Sequence, residues 1–229
     1  MKKRIIIFII SITCLLLAYG ITISYAGESY YPLDKGKTWI HIMSGKDASG
    51  FGGSFKLKTV NLGPRNLKGK KVVPQKISSG NRAEFSFIVS DEKGICEYAN
   101  QEPSDIKPKI HSAPDFYIKF PIKVGASWDA VYKTAFLNQE IELPVQISIV
   151  GVSEDVFVSA GSFSKCIHVK KFGTINKDMP PFGKAQVMVE EHSWFAPGVG
   201  RVRVVTKEKS NNLMLGSGRG SMELESYTK

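Results

Sequence analysis

The sequence predicts an all-β fold: a mainly antiparallel sheet, open and curved toward a half-barrel, built from two sequence-similar halves. A two-sheet sandwich is the alternative. Three observations predict this. Apolar and polar residues alternate with period two through many short runs, the mark of half-buried antiparallel strands. Clusters of Gly, Pro, Asn and Asp separate the runs. One nine-residue motif occurs twice.

Along the chain, Phe55, Leu57 and Thr59 alternate with Lys56 and Lys58. Residues 84–89 and 128–132 fit the same pattern less cleanly. Val145, Ile147 and Ile149 alternate with Gln146 and Ser148, and Ile167 and Val169 with Lys165, His168 and Lys170. Val202 and Val204 alternate with Arg201 and Arg203, and Met222 and Leu224 with Glu223 and Glu225. Reversals are placed at residues 50–53, 61–64, 79–81, 91–94 and 216–218, with 91–94 reading as a hairpin. After residue 26 no window carries apolar residues at helical spacing behind a cap, although residues 103–111 leave room for a short helical turn.

The repeated motif is Tyr31-Pro32-Leu33-Asp34-Lys35-Gly36-Lys37-Thr38-Trp39 and Phe120-Pro121-Ile122-Lys123-Val124-Gly125-Ala126-Ser127-Trp128. The offset is 89 residues (120 − 31), with no gap inside the motif. Pro32 and Pro121 fix φ and open the segment. Gly36 and Gly125 permit a tight reversal. Trp39 and Trp128 each begin a strand and carry a ring able to close one end of a core. The two sets are expected to hold equivalent places in two similar units. Residues 100–114 contain Pro103, Pro108 and Pro114 and cannot form a central strand. They divide residues 27–229 into halves of about 27–113 and 114–229. One domain is expected, because a handful of short strands alone leaves a sheet face uncovered.

Lys2, Lys3 and Arg4 precede an uncharged apolar run at residues 5–23, and Ser24-Tyr25-Ala26 supplies a small-x-small cleavage site. This is the pattern of a secretory signal peptide over residues 1–26, and it directs the protein to the periplasm or the exterior. The alternative is an uncleaved anchor, since a run of this length approaches the ~20 residues that span a bilayer. The protein is then membrane-attached. Ser11 and Thr13 make a poor lipidation box ahead of Cys14.

The chain carries 31 Lys and Arg against 21 Asp and Glu. The segment 1–26 holds three of the cations and no acid, leaving an excess of about seven positive charges. The densest run, Lys68-Gly69-Lys70-Lys71, reads as a solvated turn. Nucleic acid is not expected as a partner of an exported chain; an anionic membrane or envelope polymer is the partner this charge would meet. Cys96 and Cys166 remain beyond the signal segment. The compartment permits a disulfide between them, but each lies in an apolar strand-like run where a buried free thiol is equally at home.

A second motif, Trp194-Phe195-Ala196-Pro197-Gly198-Val199-Gly200, precedes the alternating run at Arg201, and its Pro197-Gly198 turn makes it a hairpin. Upstream, Val158-Ser159-Ala160-Gly161-Ser162-Phe163-Ser164-Lys165-Cys166 reads as a turn entering a strand. Together with the Tyr-Pro-Leu…Gly…Trp opening, these segments resemble the TapB-like group of secreted bacterial proteins over most of residues 30–205. Phe195 stands where that group is expected to carry Tyr. The resemblance implies an exported β-rich protein shaped like envelope lipoprotein carriers, and it implies no catalytic residue.

No catalytic, cofactor-binding or metal-binding residues are assigned from the sequence. His41, His111, His168 and His192 show no metal-ligand spacing, and no nucleophile elbow is present. Glu190 and His192 share a strand face and read as a surface pair. Gly216-Ser217-Gly218-Arg219-Gly220 lacks the following helix of a phosphate loop and reads as a turn. Three function classes follow. The first is a non-enzymatic envelope protein holding a lipid or other apolar or amphiphilic ligand on the concave sheet face. The second is a structural module meeting another envelope protein through an exposed surface or strand. The third is a hydrolase of an envelope polymer, which requires histidines, Cys166 and carboxylates to converge in a cleft.

Overall fold

The structure, a computed structural model, describes residues 29–178, 180 and 183–228. The expected signal segment and anchor lie outside these residues. Among them the chain forms thirteen strands and no helix. The first seven are β1 (Thr38–Lys46), β2 (Gly52–Asn61), β3 (Arg65–Leu67), β4 (Lys70–Ser79), β5 (Arg82–Asp91), β6 (Gly94–Gln101) and β7 (Lys109–Lys119). The remainder are β8 (Ser127–Lys133), β9 (Glu142–Val158), β10 (Gly161–Asp178), β11 (Lys184–Ala196), β12 (Gly200–Ser210) and β13 (Ser217–Tyr227).

All pairings are antiparallel, and the sheet runs β7-β6-β5-β4-β2-β1-β13-β12-β11-β10-β9-β8, with β3 paired to β4 at the side. This is an up-and-down order in which β13 returns to β1. The single seam falls between β7 and β8. Laid flat, the eleven inter-strand steps would hold those two edges about 50 Å apart. The seven residues between Lys119 and Ser127 span at most about 28 Å. The sheet must therefore curl, and its two ends pack on each other. The main core cluster joins Ile88, Ile95 and Ile118 of the β5–β7 end to Trp128, Ile147 and Val169 of the β8–β10 end. The all-β, antiparallel, curled sheet expected from the alternation is the fold observed.

Each half is a six-strand meander opened by one copy of the motif. Gly36 N–H donates to Asn61 O at 2.9 Å, and Gly125 N–H to Ile149 O at 2.8 Å. Lys37 N–H donates to Asp34 O, and Ala126 N–H to Lys123 O. Asn61 N–H returns to Lys37 O, and Ile149 N–H to Ala126 O, both at 2.9 Å. Gly36 and Gly125 both turn with positive φ, 85° and 89°, where a side chain would be strained. The rings differ in surroundings. Trp39 donates its indole N–H to Val199 O at 2.6 Å, while the Trp128 indole nitrogen is buried without a hydrogen-bond partner among the described residues.

One detail differs from the sequence expectations, and two that the sequence left open are decided. The 113/114 division falls inside β7, and the meanders part instead at residues 120–126. Pro114 is tolerated within β7 because β7 is an edge strand. Residues 103–108 form turns with no helix. Cys96 and Cys166 are free and buried in separate apolar clusters, on β6 and β10, so no bridge joins them. Burial pushes both thiols up to about 11.

Candidate functional site

The concave face of the curled sheet encloses three cavities in series. The widest, about 630 Å³, opens at the rim between Leu57, Ile77, Arg82, Glu84 and Glu102. Its opening follows from the pairing of β2 with β4, which covers only Lys58–Asn61 against Gln75–Ser78. Leu57 and Ile77 also line a middle cavity of about 110 Å³ with Tyr31, Pro32, Trp39, His41, Tyr117, Arg201 and Met222. Tyr117 and Arg201 in turn form the shared wall with an inner cavity of about 200 Å³, which includes Lys171, Glu191, Ser193 and Phe195.

Arg201 reaches this interior through a β-bulge. The β11–β12 register shifts between Trp194, which faces Arg203, and Phe195, which faces Arg201. One inserted residue sends the two arginines to opposite faces. Arg203 lies over Trp194 on the convex side, 5.7 Å from the ring centre. Arg201 lies inside, 4.8 Å from the Tyr117 ring centre and 5.2 Å from that of Phe195. Its Nε is buried with no hydrogen-bond partner among the described residues.

The interior acids are engaged elsewhere. Glu191 pairs with Lys171 at 3.3 Å and accepts from Thr206 Oγ1 at 3.3 Å. Burial alone would raise its pKa, but the Lys171 and Arg201 charges and these hydrogen bonds outweigh burial and hold it below the ordinary range. Glu97 contacts His111 Nε2 and accepts from the Tyr117 hydroxyl, each at 2.9 Å. His41 is 6% exposed. Its Nε2 lies 3.0 Å from Arg201 O, and its Nδ1 has no partner among the described residues. Burial, with the Arg201 charge, holds its pKa below the ordinary value, so the ring is neutral near pH 7. A carbonyl partner requires the proton on Nε2, which leaves Nδ1 as an acceptor.

The end of the sheet carrying the β12–β13 loop is plugged. Glu208, fully buried on β12, accepts from the Tyr132 hydroxyl at 2.9 Å and from the backbone N–H groups of Ala135 and Phe136 at 2.8 Å. This folds the β8–β9 loop inward. The Phe136 ring then lies on Gly45 and Gly220, and its Cβ and carbonyl oxygen lie on Gly218, so that a Cβ on Gly218 or Gly220 would collide with this residue. The glycine run read as a turn in fact begins β13 and serves as a floor for this ring.

The structure distributes the residues singled out in the sequence as follows. Pro32 and Trp39 line the middle cavity. Pro121 and Gly125 lie in the link across the seam, and Trp128 is in the main core. Pro197 and Gly198 form the β11–β12 turn, which docks on the first motif: Lys37 Nζ donates to Gly198 O at 3.0 Å. Trp194 faces outward within a hydrogen-bonded chain. Its N–H donates to Glu154 Oε2 at 2.7 Å, Glu154 Oε1 meets His168 Nδ1 at 2.9 Å, and His168 Nε2 meets His192 Nδ1 at 2.8 Å. His192 Nε2 and Lys170 Nζ both reach Glu190 Oε1, at 3.3 and 2.8 Å. The convergence of histidines and carboxylates that a hydrolase needs is thus present on the convex face, but none of the three cavities is lined by any of these groups.

The sequence reading missed Arg201 as an interior residue, because Arg201 and Arg203 flank Val202 symmetrically and nothing local marks the bulge. His41 carried a usable signal: two residues after Trp39 on a strand, it shares the Trp39 face.

The chain matches no protein-family model and no curated protein. Two solved structures are similar in shape. One is a candidate lipoprotein from Parabacteroides distasonis ATCC 8503, 16% identical, with a TM-score of 0.44 over 88% of this chain and 99% of the other. The second is a candidate exported protein with a YmcC-like fold from Bacteroides fragilis NCTC 9343, 13% identical, with a TM-score of 0.41 over 88% of this chain and all of the other. Likeness at this level carries neither function nor location across to the present chain.

Proposed function

We propose that this chain is an exported, non-enzymatic envelope protein, of the kind its motifs resemble, that holds a small amphiphilic ligand in the groove of its curled sheet. The observation that carries this reading is the adjacency of the three cavities, each sharing wall residues with the next. Leu57 and Ile77 line both the rim and the middle cavity, and Tyr117 with Arg201 line both the middle and the inner one. Only the rim cavity falls in the range of ordinary ligand sites, roughly 300–1,000 Å³. A ligand therefore places most of its bulk at the rim and only one end inside. The apolar side chains of Leu57, Ile77, Trp39 and Met222 suit a chain, and the Arg201–His41 region suits a polar end.

The test is displacement of a naphthalene-based fluorescent probe by decyl-chain amphiphiles, compared with Leu57→Trp, which adds bulk where the rim and middle cavities adjoin. Saturable displacement that Leu57→Trp weakens tenfold or more supports the reading. Absence of saturable binding contradicts it and favours the structural module.

A further inference from the structure

Among the interior charges, Arg201 stands out by its chemistry. Its guanidinium is held between the rings of Tyr117 and Phe195. It makes no ion pair within 4.0 Å among the described residues, and its buried Nε has no acceptor there. Withdrawing a cation from water is costly unless an anion or well-placed acceptors replace the hydration. Here the nearby acids are already committed: Glu191 to Lys171 and Thr206, and Glu97 to His111 and Tyr117. Asp115 lines the inner cavity too but is exposed. Lys171 and Glu191 pair with each other, so Arg201, at the wall between two cavities, is the interior cation without an ion pair among the described residues.

The surroundings define the complement. A guanidinium presents a planar fork of donors matched to two oxygens of a carboxylate or a phosphate. The aromatic rings hold that fork in place without using its donors. His41 lines the same middle cavity, with its Nδ1 buried and without a partner among the described residues. Beyond them Pro32, Trp39, Leu57, Ile77 and Met222 lead toward the rim, giving an apolar path for a chain.

We propose that Arg201 is the headgroup-reading residue of this groove and that the ligand is an acidic amphiphile, with a carboxylate or phosphate head at Arg201 and an alkyl chain running past Leu57 and Ile77. The inference rests on the ligand-holding reading above and narrows it to one chemical class. The bound head supplies the anionic partner that the guanidinium lacks among the described residues, and the small middle and inner cavities admit the head with only the first carbons of the chain.

The experiment measures, on the full chain freed of bound lipid, the affinities of decanoate, decyl phosphate and decanol below their aggregation limits. Decanoate or decyl phosphate is expected to bind at least tenfold tighter than decanol, and whichever is tighter names the head. Arg201→Met is expected to erase that preference, lowering acid affinity at least tenfold while leaving decanol affinity within twofold. Arg201→Lys, which keeps the charge but loses the fork, retains part of it. Equal binding of acid and alcohol by the native chain overturns the role of Arg201 and leaves the groove reading standing. A preference that survives Arg201→Met does the same. Failure of all three ligands to bind overturns both. The native comparison needs no variant, so misfolding of Arg201→Met does not remove the test.

Discussion

Arg201 sets its guanidinium 4.8 Å from the centre of the Tyr117 ring, and this contact joins the two halves of the chain. Tyr117 is on β7, at the end of the first meander, and Arg201 is on β12 of the second. The pair crosses the curled sheet and divides its interior. The Tyr117 hydroxyl in turn binds Glu97 Oε2 at 2.9 Å. Tyr117→Phe keeps the ring under Arg201 and removes only that hydrogen bond. The expected cost is about 1.5–3 kcal/mol, the range for a bond to a charged acceptor, read from the urea midpoint. A cost below about 0.5 kcal/mol would show that the hydroxyl bond contributes little to closing the sheet.

The Phe136 plug depends on the absence of side chains beneath it. A Cβ on Gly220 would collide with the Phe136 ring. Gly220→Ala is expected to destabilise the fold by about 1–3 kcal/mol through overpacking. Combining it with Phe136→Ala should recover part of that loss, a positive coupling readable in a double-mutant cycle. Additive losses would mean that the ring and the floor are not in contact in solution.

Protonation should weaken the fold below neutrality. Burial holds the His41 pKa down, aided by Arg201. Burial also lowers that of His168; its hydrogen bond and charge interaction with Glu154 oppose this without reversing it, and the His192 and Lys170 charges add to the lowering. An unfolded histidine takes its proton near 6.5, at a higher pH than either folded ring. Between the two values the unfolded state binds more protons, so stability is full above about 6.5 and falls as pH drops toward the folded values. The urea midpoint should decline from pH 7.5 to 5.5, and His41→Gln combined with His168→Gln should flatten that slope. A midpoint that rises on acidification would contradict the assignment.

Lys46, Arg219 and Lys207 stand directly opposite one another on β1, β13 and β12. Like charges at facing strand positions repel. Arg219→Glu replaces two repulsions by two attractions and is expected to stabilise the protein by about 0.5–1 kcal/mol at low ionic strength. The gain should shrink in 1 M salt, where screening acts over about 3 Å. A loss of stability at both salt concentrations would show that the row is held apart by solvent.

Much of the architecture was legible because strand alternation is local. The runs around Leu57, Ile147, Ile167, Val204 and Leu224 lie in β2, β9, β10, β12 and β13. The motif copies place matching hydrogen bonds at Gly36 and Gly125 because Pro and Gly restrict the backbone on their own. What was not legible depends on register between distant strands. Arg201 and Arg203 give the same alternation signal, and only the bulge opposite Trp194 and Phe195 separates them. His168 alternates with Ile167 and Val169 and does face outward, but its bonds to Glu154 and His192 come from neighbouring strands. The glycines at 218 and 220 looked like turn residues because Phe136, the reason for them, lies on a loop some eighty positions earlier.

Native mass spectrometry of the protein purified from its natural source tests most directly whether the groove of the curled sheet holds an amphiphile. The expected result is an adduct that survives gentle desolvation, is released on denaturation, and carries an acidic head and an alkyl chain in the extract. A clean unliganded mass in repeated detergent-free preparations would contradict it.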